Sequence, residues 1–161
     1  MILYVYGSDR RTFYPRGYPH INQTLRDLGL LAGVPARVVA SLVADERGRY
    51  REYSIPKSSG GSRVISVPVP SLMAMQRVIK NEILEKKDIH VCAVGFRTGY
   101  SIKSHVERHV SARRFIKIDI KDCFGSVKFN SIVSTFRNLE FNPEMAYCLS
   151  RLVSHKGSLP Q

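Results

Sequence analysis

The sequence contains no tryptophan, only three cysteines, and 13 acidic residues against 25 basic ones. Cys92, Cys123 and Cys148 are odd in number, far apart and without metal-ligand spacing. That excludes a disulfide framework and a zinc module, and it fits a reducing cytoplasm. Nowhere do apolar residues run for the roughly 18 to 20 positions that a membrane span needs, and the opening MILYVYGSDRR is too short for a secretory core. A soluble, unexported chain with no membrane partner is expected. The acidic shortfall leaves a net charge of +12, spread along the chain rather than gathered in a tail. Such a field favours a polyanionic partner, nucleic acid first and anionic membrane second, but carries no information about catalysis. With 161 residues, 43% apolar and 24% charged, the chain can bury a core and is not a disordered segment.

Residues 1–20 place Tyr4, Tyr6, Phe13, Tyr14 and Tyr18 among Gly, Pro and Arg without a sustained period, which reads as an arm or irregular cap. Apolar residues then recur at helical spacing over 22–31 (Leu25, Leu28) and 35–44 (Val38, Val39, Leu42, Val43), broken at Gly33 and Pro35. From Arg49 to Val69, two β-rich runs flank Ser58-Ser59-Gly60-Gly61, a hairpin with a basic tip. Ser71 opens an amphipathic helix whose stripe is Leu72, Met75, Ile79 and Ile83. A further helix is expected from about Ile102 to Val110. Two close the chain, one carrying Ile132, Phe136 and Leu139. The other is capped at Asn142-Pro143 and carries Met145, Leu149 and Leu152.

Between these helices, residues 115–121 of FIKIDIKDCFGSV alternate as a strand does: Ile116, Ile118 and Ile120 on one face, Lys117, Asp119 and Lys121 on the other. A carboxylate at the end of such a strand suits a hard cation. A surface Asp119 paired with Lys117 or Lys121 explains the same residues. His90, His105, His109 and His155 form no metal-ligand cluster; His105 and His109 stand at i, i+4 without a third ligand.

Five patterns in order change the weighing. YSIPKSSGGSRVISVP, LMAMQRVIKNEIL, GFRTGYSIKSHVERH, FIKIDIKDCFGSV and the final SLPQ follow one another at sensible spacing. From about Tyr50 onward the chain resembles a bacterial reverse transcriptase of the retron-like and group II intron-like kind. The five segments are similar, in turn, to the fingers hairpin, the helix after it, the third conserved block, the first catalytic palm motif and the opening of the next motif.

The resemblance implies roles. Asp119 matches the catalytic, metal-binding aspartate of a two-metal Mg²⁺ site, with the carbonyl of Ile120 as a neighbouring ligand. Lys57 and Arg63 match basic fingers positions that grip the triphosphate, although a solvated basic hairpin is the plainer account of them. Phe124 matches the aromatic gate beneath the nucleotide sugar, where a buried core ring is the alternative. Gln161 matches a residue near the sugar and base. Asp122 is a weaker nucleotide-site candidate that could instead cap or shape the turn.

The implied fold class is α+β, a right-hand polymerase's fingers with a partial palm sheet, truncated before the second catalytic motif. Its expected parts are an arm with short helices (1–48), the fingers hairpin, helix and loop-helix (49–114) and the first part of the palm (115–161). The implied activity is RNA-directed DNA synthesis from deoxynucleoside triphosphates on an RNA template or RNA/DNA hybrid, and this chain alone is expected to be inactive. Retron-type elements pair such enzymes with a structured non-coding RNA and often serve in phage defence. The alternative is a non-catalytic RNA-binding module or one half of a split polymerase.

Overall fold

A computed structural model describes residues 25–58, 60–114 and 116–161. The arm read at residues 1–20 and the expected helix start at Asn22 lie outside them. Helices α1 (Leu25–Leu31) and α2 (Ala36–Ala44) form where the apolar period predicts them, and Pro35 caps α2. The break needs its glycines. Gly33 has φ of 65°, while a Cβ on Gly29 would stand 3.0 Å from both the Val34 carbonyl oxygen and Val39.

Strands β1 (Tyr50–Pro56) and β2 (Ser62–Pro68) pair antiparallel, from Tyr50 opposite Pro68 to Pro56 opposite Ser62. The Lys57 amide donates to the Gly61 carbonyl (3.0 Å) and the Gly60 amide to the Lys57 carbonyl (3.1 Å). The stripe Leu72, Met75, Ile79 and Ile83 is fully buried, as its spacing requires. Its helix starts one residue earlier than expected: α3 spans Pro70–Val78, with Pro70 in the first turn, and continues as a π-helical stretch over Ile79–Leu84. Helix α6 (Phe129–Asn138) leads to α7 (Pro143–Val153). There the Asn142 side-chain oxygen accepts from the Met145 amide at 2.8 Å and Pro143 occupies the first turn, as read from the sequence.

Leu28, Val39, Leu72, Met75, Ile79, Ile83, Met145, Leu149 and Leu152 are all 0% exposed and belong to one core shared by α1, α2, α3, α6 and α7. Each large side chain so buried contributes about 1.5 to 3 kcal/mol. No single helix among the described residues is long and apolar enough to cross a membrane.

Three expectations are corrected. Residues 116–120 form no strand: the segment is unpaired, and Ile116, Ile118 and Ile120 are 90%, 84% and 64% exposed. An alternating pattern encodes a face for a sheet to use, but β1 and β2 form the only sheet among the described residues and do not reach it. The partial palm sheet is therefore not formed among them, and the fold they show is mixed helix and strand with a small antiparallel sheet. Helix α4 (Ile102–Glu107) stops short of the expected Val110; it begins with a Ser101–Ser104 capping box and buries no side chain that would prolong it. A short helix, α5 (Cys123–Ser126), follows Asp122, which adopts left-handed backbone (φ 50°, ψ 49°). Aspartate tolerates that region better than most residues, so no glycine announces the turn.

Candidate functional site

The chain after α7 doubles back on itself. The His155 amide donates to the Ser158 carbonyl (2.8 Å), and the Ser158 amide returns the bond (3.1 Å). This tail is then laid against two other elements. The Phe129 amide donates to Gly157 and the Leu159 amide to Val127, at 2.9 and 3.1 Å. Along β2, the Ser66 amide donates to the carbonyl of Gln161 at 2.6 Å. Hairpin, α5 turn and tail thereby enclose an open groove of about 390 Å³.

Four residues singled out from the sequence line that groove: Lys57 and Arg63 from the hairpin, Asp122 from the α5 turn and Gln161 from the tail. Neither Lys57 nor Arg63 forms an ion pair among the described residues, so both cations are uncommitted. Glu52, on the same wall, is occupied: its Oε1 accepts from Lys156 Nζ at 2.6 Å and from His155 Nε2 at 3.1 Å. The Lys156 bond and then the His155 bond hold its carboxyl below the usual 4.5. A depressed carboxyl pKa stabilises the fold above that ordinary value, and the contribution fades as pH falls through the lowered one. The Asp122 side chain makes no capping hydrogen bond despite its position before α5, although its backbone carbonyl accepts from the Ser126 amide at 2.9 Å. Its carboxylate instead packs on Gly125, where a Cβ would lie 2.3 Å from Oδ2.

The other three candidates lie outside the groove. Asp119 and Ile120 are exposed on the unpaired segment. The Asp119 carboxylate makes no ion pair with Lys117 or Lys121, so the plain surface-pair account does not describe it either. Phe124 is 41% exposed and absent from the core; its ring meets Phe96 edge to face, with centroids 6.4 Å apart. A carboxylate and a backbone carbonyl suit a hard divalent cation. Among the described residues, however, no three His, Cys, Asp or Glu side chains converge on a point that could hold a metal ion. Asp119 and Ile120 therefore do not fit a complete two-metal shell by themselves. The His105 and His109 rings meet edge to face, with centroids 5.2 Å apart. The three cysteines are free, and burial pushes the Cys148 thiol up to about 11, leaving it protonated and inert at neutral pH.

Sequence reasoning missed Glu52, Ser66 and Lys156 as parts of this wall and assigned no role in it to His155. His155 packs on Tyr50, with ring centroids 4.3 Å apart. Nothing in the spacing of four residues from three segments signals that they meet.

A two-stranded hairpin thus brings two cations with no ion-pair partner among the described residues, Lys57 and Arg63, to a groove that Asp122 also lines, in a fold of mixed helix and strand. Residues 55–160 match the family model described as reverse transcriptase (RNA-dependent DNA polymerase), and the chain belongs to that family. Members of the family generally use divalent metal ions. The chain is similar to the retron Ec86 reverse transcriptase of Escherichia coli, 27% identical over 147 residues, covering 90% of this chain and 46% of that protein. It is also similar to the retron Mx65 reverse transcriptase of Myxococcus xanthus, 30% identical over 133 residues, covering 83% and 31%. The retron Se72 reverse transcriptase of Salmonella heidelberg is 28% identical over 149 residues, covering 89% and 39%. The chain thus spans less than half the length of each of these relatives.

Proposed function

We propose that these residues are the fingers (49–114) and first palm portion (115–161), preceded by an arm with short helices (1–48), of an RNA-directed DNA polymerase. It adds deoxynucleotides to a primer on an RNA template, and the product is an RNA/DNA hybrid. The observation that carries this reading is the convergence of Lys57, Arg63, Asp122 and Gln161, from three separated segments, on one groove in a reverse transcriptase family member. Arg63 binds phosphate oxygens through its planar fork and Lys57 as a mobile point charge, so the hairpin tip grips a triphosphate from above. Phe124 is proposed as the sugar gate. Mg²⁺ is proposed as the divalent ion, with Asp119 and Ile120 among its ligands. A structured non-coding RNA partner, a cytoplasmic setting and a part in phage defence belong to the same proposal, which rests on the retron names of the similar proteins.

The test is binding of a deoxynucleoside triphosphate and of RNA across a salt series. Lys57→Met with Arg63→Met is expected to weaken triphosphate binding by roughly 10-fold or more, since each charge-assisted contact contributes about 1.5 kcal/mol or more. RNA binding should persist, fall steeply with salt and show little sequence preference, because phosphate contacts carry it. Unchanged triphosphate affinity in the double variant would overturn the groove reading.

A second reading, a non-catalytic RNA-binding module or half of a split polymerase, is favoured by the absence of three converging carboxylate, imidazole or thiolate ligands among the described residues. Primer extension separates the two. The 161-residue polypeptide assayed by itself is expected to incorporate no nucleotide, because one carboxylate cannot hold the ions that two-metal transfer needs. Template-dependent incorporation that copurifies with it and disappears in Asp119→Asn would refute that expectation.

A further inference from the structure

We propose that Glu52, Lys156 and His155 form a positioning latch that sets the angle at which the hairpin presents Lys57 and Arg63 to the groove. The inference rests on the reading that these two cations hold phosphate. Glu52 lies near the base of β1, opposite Ser66 on β2. Its Oε1 is shared by Lys156 Nζ (2.6 Å) and His155 Nε2 (3.1 Å), both from the tail after α7. The imidazole side chain is only 12% exposed, and its Nδ1 is buried without a hydrogen-bond partner. With Nε2–H donating to Glu52, Nδ1 is a bare acceptor, which is the tautomer that leaves no buried N–H unmade.

The latch is anchored behind. His155 lies against Tyr50, whose hydroxyl accepts from Gln76 Nε2 at 2.8 Å, and the same amide donates to the Leu152 carbonyl at 2.9 Å. Contacts therefore run from α3 and α7 through Tyr50 and His155 to Glu52. Beyond that point the hairpin has little support: Tyr53, Ile55 and Val64 are 51%, 41% and 51% exposed. Its direction is set at the base. Lys57 stands five residues further on, about 17 Å along an extended strand, so a tilt of roughly 10° at Glu52 moves the tip by about 3 Å. That is a whole hydrogen-bond length.

Electrostatics and positioning predict opposite signs for one substitution. Glu52→Gln removes a negative charge from the groove wall, so charge alone would tighten anion binding. As a latch, Glu52→Gln loses its charge-assisted bonds, frees the hairpin and is expected to weaken binding of inorganic tripolyphosphate by roughly 3- to 5-fold. Glu52→Lys should weaken it further despite the added cation, and Glu52→Lys combined with Lys156→Glu should recover wild-type affinity within about twofold as the pair re-forms in reverse. Titration calorimetry on the full chain at low salt, with a melting curve for each variant, reads all of these. Lys57→Met and Arg63→Met are run beside them. If those two bind tripolyphosphate as wild type does, the groove reading falls and the latch with it. If they bind weakly while Glu52→Gln binds equally well or more tightly, the latch alone is overturned.

Discussion

Arg49→Met is expected to destabilise the fold by about 3 to 5 kcal/mol, the cost of removing one partner from a buried ionic network. Arg49 is 2% exposed. Its Nη1 donates to the carbonyls of Leu42 (2.9 Å) and Arg151 (2.6 Å), Nη2 reaches Ser154 (3.4 Å), and Glu46 lies 3.3 Å away. Leu42 and Arg151 belong to the last turns of α2 and α7, where carbonyls lack helical partners and a cation also meets the negative ends of both dipoles. Methionine keeps the length and apolar stem but leaves those buried acceptors unmade, at about 1 to 3 kcal/mol each. Lysine keeps the charge but only as a single point, so Arg49→Lys should recover part of the loss. Denaturant melts of the three proteins decide the matter. A methionine variant within about 1 kcal/mol of wild type would mean that α2, β1 and α7 are held together by apolar packing alone.

How much of this architecture was legible depends on whether a pattern is satisfied locally. The stripe Leu72, Met75, Ile79 and Ile83 and the cap Asn142-Pro143 specify elements whose partners lie within the described residues, and both form as read. In the sequence Arg49 is one of 25 basic residues and carries no distinguishing mark. Only the fold reveals that two helix ends converge on it, because its partners are backbone carbonyls, which have no sequence signature. The 116–120 segment fails in the opposite way: its alternation is plain, but its face meets no sheet among the described residues.

The candidate site divides along the same line. Lys57 and Arg63 flank a turn, so a local hairpin is enough to bring them together, and they line one groove. Gln161 joins them because its carbonyl extends the β2 edge, a long-range bond that spacing could not anticipate. Asp119 and Ile120 lie on the unpaired 116–120 segment and Phe124 on α5, and all three stand apart from the groove. Motif order identified the family without requiring these distances, which is why recognition succeeded where geometry remained unread.

That separation makes Asp119→Asn the sharpest substitution in the chain. Asp119 is exposed and forms no ion pair with its lysine neighbours, so the isosteric change should alter stability by no more than about 0.5 kcal/mol. RNA binding should also survive, since the cations carry it. On the role proposed for Asp119 above, incorporation by any longer polypeptide that contains these residues and polymerises is nevertheless expected to fall by at least roughly 100-fold. Asp122→Asn should be milder: its carboxylate sits on Gly125 at the groove wall and is not the residue that matches the metal ligand. Single-turnover incorporation, with melting and RNA-binding curves for both variants, separates the cases. Equal losses from the two would reverse their hierarchy. A fully active Asp119→Asn would mean that FIKIDIKD keeps the family's pattern without its chemistry.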